Sequence, residues 1–223
     1  MKKCVFIRHG QSQWNLENRF TGWKNVELTD LGRKEAKNAG NILKKRHYSF
    51  DVVYTSTLTR AQDTAKIALQ ELNSNVKPII DWRLNERHYG ALTGKNKQET
   101  ADQYGAEQVK IWRRSYPTRP PLMDEKAARE LVTDKSIPLT LGESLEDTVK
   151  RVTPYWEQTI SKDVQNGKSV LVVAHGNSLR ALMKHLFRIS DADILELEIP
   201  TGTPVECELD ERLIGKKYSF LTE

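Results

Sequence analysis

Short apolar runs alternate with longer stretches of helical periodicity along most of the chain. Residues 4–7 and residues 170–174 are apolar without interruption, which is typical of strands that are covered on both faces. Residues 52–54 and 79–80 predict two further strands. Strands that alternate with helices indicate an α/β protein whose sheet is mostly parallel.

Helical periodicity fills the segments between these strands. One helix is predicted to begin at Thr29 or Asp30, and another at about Leu58. The apolar face of the first helix consists of Leu31, Ala39, Ile42 and Leu43. A third helix begins at a capping box, residues 144–147, and contains Pro154, which should kink or restart it. The last predicted helix has a one-sided apolar pattern of Leu179, Leu182, Met183 and Leu186.

Residues of about 90–140 break this alternation. They are polar and rich in proline, and they predict a small helical cap followed by an irregular loop. The whole chain of 223 residues is long enough for one sizeable core with such a cap. We therefore expect a single domain over residues 1–223, with a three-layer α/β fold. Its mostly parallel central sheet should be flanked by helices, with the cap inserted at about 90–140.

Composition and charge limit the classes of protein to which this chain could belong. No apolar run reaches 18 residues, so we expect no membrane partner. The apolar run before Arg8 is too short for a signal peptide, so we expect a cytoplasmic protein. The net charge of +5 favours anionic ligands in general. The chain contains no run of five basic residues, so we expect no nucleic-acid partner. Cys4 and Cys207 predict neither a disulfide framework nor a metal site.

The first and last predicted strands end alike. Residues 8–12 are Arg-His-Gly-Gln-Ser, and residues 174–178 are Ala-His-Gly-Asn-Ser. Because ligands of parallel sheets bind beyond the carboxyl ends of the strands, we expect His9 and His175 to emerge at one edge. A lone histidine at a strand end is more often structural, but two with the same sequence context favour a shared site.

Two arginines belong to the same predicted edge. Arg8 adjoins the first histidine, and Arg60 lies in the first turn of the helix after the second strand. Guanidinium groups match phosphate oxygens, so the set predicts a pocket for a phosphoryl group. One histidine could be the nucleophile and the other could stabilise the transition state. Histidines that bind a metal are the alternative, but the sequence lacks clustered carboxylates and paired cysteines, so we expect no metal.

Glu86 is the candidate acid or base. It is the single carboxylate of residues 84–90, which follow the third predicted strand. Near a developing alkoxide, it could hold a proton long enough to act as a general acid. Taken alone, such a residue is more often an ordinary loop carboxylate or an ion-pair partner of a neighbour, here Arg87.

Six blocks of residues, in order along the chain, resemble one known family. They lie around residues 8–15, 20–23, 55–60, 84–90, 112–114 and 174–180. Together they are similar to cofactor-dependent phosphoglycerate mutase, the 2,3-bisphosphoglycerate-dependent branch of the histidine phosphatase superfamily. The resemblance implies a glycolytic and gluconeogenic enzyme that interconverts 3-phosphoglycerate and 2-phosphoglycerate. It also implies 2,3-bisphosphoglycerate as the priming cofactor, phosphoglycerates as partners, and a homodimer or homotetramer.

The resemblance also implies roles for individual residues. His9 would be the phosphohistidine, Glu86 the proton donor and acceptor, and His175 the group that stabilises the transition state. The phosphoryl group would be held by Arg8, Asn15, Arg60, Gly176 and Asn177. The rest of the phosphoglycerate, with its carboxylate, would be held by Thr21, Gly22, Tyr89, Lys97, Arg113 and Arg114. The substrate-binding set is expected to include Gly10, Gln11, Ser12, Arg87 and His88 as well.

The sequence departs from the family pattern at three places. Gln11 stands where glutamate is common, residues 120–140 lack a Tyr-Pro-Gly-containing loop, and the chain ends at Glu223 without the longer tail of some members. Because a lid excludes water, these features leave the ratio of transfer to hydrolysis open. The alternative hypothesis is a histidine phosphatase that hydrolyses another phosphate ester. A non-enzymatic module for polyanions is supported by net charge alone.

Overall fold

A computed structural model describes residues 1–132 and 134–222, and these form a six-stranded sheet with helices on both faces. The strands are β1 (Lys2–Arg8), β2 (Val52–Thr55), β3 (Ile79–Ile80), β4 (Val170–Ala174), β5 (Pro204–Leu209) and β6 (Gly215–Phe220). The strand order is β3-β2-β4-β1-β5-β6. The first four of these strands are parallel, whereas β5 and β6 are antiparallel to their neighbours. The predicted fold class is confirmed, and the antiparallel edge is an addition to it.

The helices complete the three layers. They are α1 (Gln13–Leu16), α2 (Asp30–Lys45), α3 (Thr59–Glu71), α4 (Lys97–Tyr104), α5 (Ala106–Arg114), α6 (Glu125–Leu131), α7 (Leu145–Tyr155), α8 (Ser161–Gln165) and α9 (Gly176–Phe187). Val5 and Ile7 of β1 share a hydrophobic cluster with α2 and α3. Cys4 and Phe6 share the other main cluster with α7, α8 and α9. Alternate side chains of β1 therefore pack on opposite faces, as expected of a fully covered strand.

Helix α2 begins where the sequence predicts, because the Thr29 side chain caps it by accepting from the backbone N–H of Gly32. Leu31 does not belong to its apolar face and is 51% exposed. Gly32 faces the turn after β1 instead, so closely that a Cβ there would lie 2.0 Å from the carbonyl oxygen of Gln11. The side chain before it therefore points away from the core.

The capping box at Ser144 is present, but Pro154 does not stop the helix. α7 runs through the proline to Tyr155, and a π-helical turn at Trp156–Ile160 then joins it to α8. Because proline has no N–H to donate, local pairing has to change near it, and the wider turn follows directly.

Residues 90–131 lie over the sheet edge where β1 and β4 end. Helix α5 packs Val109 against Phe20 and Leu92 in a small cluster apart from the two main ones. This cluster ties α4 and α5 to the loops that follow β1 and β3. No helix within residues 1–132 and 134–222 is long and apolar enough to cross a membrane.

Candidate active site

The two strand-end histidines meet because β1 and β4 are neighbours in the sheet. Arg8 pairs with Ala174 in the parallel register, so the next residue of each strand leaves the sheet at the same level. The backbone N–H of His9 donates to the Ala174 carbonyl at 3.0 Å. The imidazole centroids of His9 and His175 are 5.0 Å apart, with an edge-on angle of 60°.

His9 is held as a neutral ring with one defined lone pair. Its Nδ1 lies 2.7 Å from the carbonyl oxygen of Gly10, which can only accept, so Nδ1 carries the proton. The Nε of Arg60 donates to Nε2 at 3.3 Å. Burial, and then the charges of Arg60 and Arg8, hold the pKa of His9 well below its usual value. The basic nitrogen is therefore Nε2, on the side of the arginines.

His175 lies behind His9 and is fully buried. Its Nε2 is 2.7 Å from the Ser56 hydroxyl, while Nδ1 has no hydrogen-bond partner among the described residues. Burial, then the charge of Arg60, lowers the pKa of His175 well below its usual value. The ring therefore stays neutral. Unlike His9, His175 does not line the cavity of the site, so the structure places this predicted catalytic residue beside the nucleophile rather than on the cavity wall.

The guanidinium of Arg60 is held in position by two backbone carbonyls in addition to its contact with His9. Its Nη2 donates to the Gly22 carbonyl at 2.8 Å, and its Nη1 donates to the Lys24 carbonyl at 2.9 Å. One side chain therefore fixes the loop after α1 against His9. Arg8 is fixed less completely, because its Nη1 donates to the Ile199 carbonyl while its buried Nε has no partner among the described residues.

Glu86 links the loop after β3 to the start of α9. Its Oε1 accepts from the backbone N–H of Arg87 at 2.7 Å and from that of Asn177 at 3.1 Å. Its Oε2 lies on the Gly176 side, and the residue lines the cavity that holds His9. The carboxylate is therefore oriented by two backbone donors and keeps one oxygen toward the cavity.

A buried ion pair that sequence reasoning missed supports this loop from behind. Arg151 and Glu143, each 6% exposed in its side chain, form a two-pronged pair at 2.7 and 2.8 Å. Arg151 also donates to the backbone carbonyls of Arg83, Asn85 and Glu86. Glu143 accepts from the backbone N–H of His88 at 2.9 Å. Arg151 and Glu143 therefore both hold the backbone of the loop that carries Glu86.

Replacing Arg151 with methionine should destabilise the protein by about 3–5 kcal/mol, because it leaves the Glu143 carboxylate buried and unpaired. Urea unfolding measures this change. The matched control is Arg119→Met, which breaks an ion pair with Asp147 whose arginine is 58% exposed. That control should cost no more than about 1 kcal/mol. Equal losses of unfolding free energy in the two variants would show that the buried pair contributes no more to stability than the exposed one.

The site opens as a cavity of about 330 Å³. The predicted residues that line it are Arg8, His9, Asn15, Thr21, Gly22, Arg60, Glu86, Tyr89, Lys97, Arg113, Arg114, Gly176 and Asn177. The charged lining, taken over the described residues, is Arg8, Arg19, Arg60, Lys97, Arg113, Arg114 and Arg180, against Glu86 and Glu198. With seven cations and two carboxylates, the cavity suits a ligand that carries more than one negative charge.

Three of the predicted substrate-binding residues turn toward α2 or α1 rather than toward the cavity. Gly10 packs against the start of α2. The Gln11 side chain accepts from the hydroxyl of Thr29, and the Ser12 side chain caps α1. These residues shape the turn after His9 instead of lining the cavity.

Two others lie one layer behind the lining. The Arg87 guanidinium sits over the ring of Tyr89 at 4.7 Å and donates to the carbonyl of Arg113. His88 is fully buried against Trp23, with ring centroids 5.4 Å apart. Both support residues that reach the cavity.

Several lining residues were not predicted: Arg19, Arg180, Leu197, Glu198, Ile199 and Pro200. Residues 197–200 belong to an irregular segment without a periodic pattern, so the sequence offers no sign of them. Arg180 did carry a sign, since it is a charged residue among apolar ones on α9. The structure buries both sides of this helix rather than one.

A doubly covered sheet that places His9 on the wall of an arginine-lined cavity, with His175 beside it, defines a class of phosphoryl-handling protein. Residues 4–214 match the family described as histidine phosphatase superfamily (branch 1), and the chain belongs to this family. Within the family, it is 52% identical over 225 residues to a 2,3-bisphosphoglycerate-dependent phosphoglycerate mutase of Lachnoclostridium phytofermentans. This comparison covers 97% of the chain and 90% of the relative.

Solved structures share the fold at lower identity. An α-ribazole phosphatase from Shigella flexneri has a TM-score of 0.74 at 22% identity, over 99% of this chain and 96% of that one. A mycobacterial glucosyl-3-phosphoglycerate phosphatase in complex with VO3 has a TM-score of 0.74 at 25% identity, over 99% and 97%. Within the part of the chain that the structure describes, no group of three or more His, Cys, Asp or Glu residues is arranged to hold a metal ion.

Proposed function

We propose that this chain is a phosphoglycerate mutase. It interconverts 3-phosphoglycerate and 2-phosphoglycerate in glycolysis and gluconeogenesis, and 2,3-bisphosphoglycerate primes it by phosphorylating His9. The observation that carries the proposal is the second group of cations. Arg8 and Arg60 suffice for one phosphoryl group beside His9, whereas Lys97, Arg113 and Arg114 line the cavity from the cap helices α4 and α5. Such a wall suits the carboxylate or second phosphate of a phosphoglycerate.

The residues present fit the priming bisphosphate. Buried polar atoms without partners among the described residues include Arg8 Nε, Thr21 Oγ1 and Arg180 Nε, all on residues that line the cavity. Buried donors are normally satisfied, so these are available to a ligand. When bound, the bisphosphate supplies the phosphoryl group that charges His9.

In the first half of the reaction, Nε2 of His9 forms a bond to phosphorus while the bond from phosphorus to the ester oxygen breaks. Glu86 gives its proton to the departing oxygen. In the second half, Glu86 takes a proton from a hydroxyl of the bound phosphoglycerate. That hydroxyl oxygen attacks the phosphoryl group, and the bond to Nε2 breaks. This transfer gives the bisphosphorylated molecule. When its other phosphoryl group returns to Nε2 of His9 by the first half of the reaction, the isomer is released and His9 is charged for the next cycle.

The arginines and His175 stabilise charge during both halves. Arg8 and Arg60 offset the charge that spreads over the phosphoryl oxygens. In this scheme the Ser56 hydroxyl, 2.7 Å from Nε2 of His175, donates to it, so that the ring proton is on the unpartnered Nδ1. That N–H is then free to donate to a phosphoryl oxygen. Because the ring is neutral, it does not compete with His9 as a second nucleophile through Nδ1, which carries the proton.

The assay that tests the function is isomerisation of 3-phosphoglycerate with and without trace 2,3-bisphosphoglycerate. We expect the primer to stimulate isomerisation, with little release of inorganic phosphate. Release of phosphate without stimulation would favour the alternative, a histidine phosphatase that hydrolyses another phosphate ester with the same His9.

The setting follows from the same proposal. An enzyme of glycolysis acts on small phosphoglycerates where they are made, so we propose that it is cytoplasmic. We also propose a homodimer or homotetramer, on the family resemblance, and sedimentation equilibrium measures it.

A further inference from the structure

Arg180 is a buried cation on the cavity wall whose recorded hydrogen-bond partners are all neutral. The residue is 5% exposed and lines the cavity. Its Nη1 donates to Asn177 Oδ1 at 3.0 Å, and its Nη2 donates to the carbonyl of Ile194. Its Nε is buried and has no hydrogen-bond partner among the described residues. Arg180 takes no part in the transfer steps described above, although its Nε is one of the buried donors available to a ligand.

Burial and two neighbouring arginines oppose the charge of Arg180. Burial lowers the pKa of Arg180 to about 10, and the charges of Arg114 and Arg87 act in the same direction. The side chain is still protonated at neutral pH, because that pH lies well below 10. Glu86 and Tyr89 favour the charge, but no carboxylate among the described residues is hydrogen-bonded to the guanidinium. Because a buried charge without such a partner is costly, this cation is best explained by an anion that arrives with the ligand.

Arg180 also decides which atoms Asn177 presents. Because the guanidinium occupies Oδ1, the amide cannot turn over, and its Nδ2 donates to the hydroxyl of Tyr89 at 3.3 Å. Asn177 and Tyr89 both line the cavity. One buried arginine therefore sets the direction of an amide and a phenol that face the ligand.

We propose that Arg180 is a positioning residue that determines specificity for the anionic group that is not transferred. It does so by supplying charge beside Arg114 and by fixing the amide of Asn177. The inference rests on the proposed function, in which the untransferred group is the carboxylate of a phosphoglycerate. It predicts that Arg180 matters much more for ligands with that carboxylate than for ligands without it.

The test compares two ligands of the same skeleton, 3-phosphoglycerate and glycerol 3-phosphate, which has a hydroxymethyl group in place of the carboxylate. Their dissociation constants are measured by calorimetry on the unphosphorylated protein. Arg180→Met should weaken 3-phosphoglycerate binding about ten- to a hundredfold, as expected for a lost charged contact, and weaken glycerol 3-phosphate binding much less. Arg180→Lys keeps the charge and should recover part of the loss.

Kinetic constants separate this role from a structural one. In isomerisation, Arg180→Met should raise KM for 3-phosphoglycerate about ten- to a hundredfold and change kcat much less. The double variant with Asn177→Ala should lose less than the sum of the two single losses, because Arg180 acts partly through that amide. The matched control is Arg212→Met, an exposed arginine in the turn between β5 and β6, which should change nothing.

Equal weakening of both ligands, or no change in either, would overturn the assignment. The lysine variant guards against misfolding, since it keeps a cation at the site. Failure of the proposed function has a different signature: wild-type protein that binds the two ligands equally and gains nothing from trace 2,3-bisphosphoglycerate.

Discussion

Replacing His9 with alanine should abolish acid-labile phosphate on the protein and lower kcat/KM by about 10⁵-fold or more, the scale seen when a nucleophile is removed. The reason is the geometry of one ring. Nδ1 is held by the Gly10 carbonyl, so Nε2 alone has a lone pair facing Arg60. Incubation with labelled 2,3-bisphosphoglycerate and mapping of the label at alkaline pH measure the effect, and loss of the label from a parallel sample in acid identifies phosphohistidine.

His175→Ala is the informative comparison. This variant removes the neighbouring ring but leaves His9, so it should still take up label, only more slowly. Label that survives His9→Ala would move the nucleophile elsewhere, and His175 would be the first residue to test. Thermal unfolding of both variants shows whether either change acts through the fold.

The imidazole of His9 also determines how labelling should change with pH. Burial, Arg60 and Arg8 hold the pKa of His9 well below 6.5, so the ring stays neutral and nucleophilic down to a pH below that value. The histidines affect stability in the same direction. An unfolded histidine takes up its proton near 6.5 while the buried ring does not, so stability is lost as pH falls below that point.

Glu86→Gln should lower kcat about 10²- to 10⁴-fold, the usual contribution of a general acid or base. Glutamine keeps an oxygen that can accept from the backbone N–H groups of Arg87 and Asn177, so the loop should stay in place. Only the transferable proton is lost. Steady-state isomerisation at neutral pH measures the loss.

The control for Glu86→Gln is a change of leaving group. p-Nitrophenyl phosphate expels an anion that needs no proton, so a slow release of p-nitrophenol by the wild type should be kept by the variant. A variant that lost both activities equally would show that the carboxylate acts by placing His9 or the ligand rather than by moving a proton.

The framework of this site could be predicted because it depends on local patterns. An uninterrupted apolar run marks a covered strand, and parallel strands end at one edge, so two similar strand ends place His9 and His175 together. The cap at Thr29 and the capping box at Ser144 are equally local. These features need no knowledge of what packs against what.

The remaining features depend on packing between distant segments. Arg151 is one of several charged residues on the polar side of its helix, and nothing in the spacing says that it meets Glu143 behind the Glu86 loop. Gln11 is two residues from His9 and His88 is next to Tyr89, and both of those residues line the cavity, yet the side chains of Gln11 and His88 pack elsewhere. Prediction from neighbouring residues in the sequence therefore assigns some residues to the cavity that do not line it, and it misses Arg180, which does.

The position of β1 in the sheet has a consequence for how the protein is made. Both neighbours of this strand, β4 and β5, come from the last quarter of the chain. At ordinary translation speeds the strand that leads to His9 waits roughly 10 to 30 seconds for its first partner to be synthesised. During that time an apolar, unpaired edge is exposed on the ribosome. Chaperone binding to nascent chains should therefore end only when residues beyond 174 have emerged.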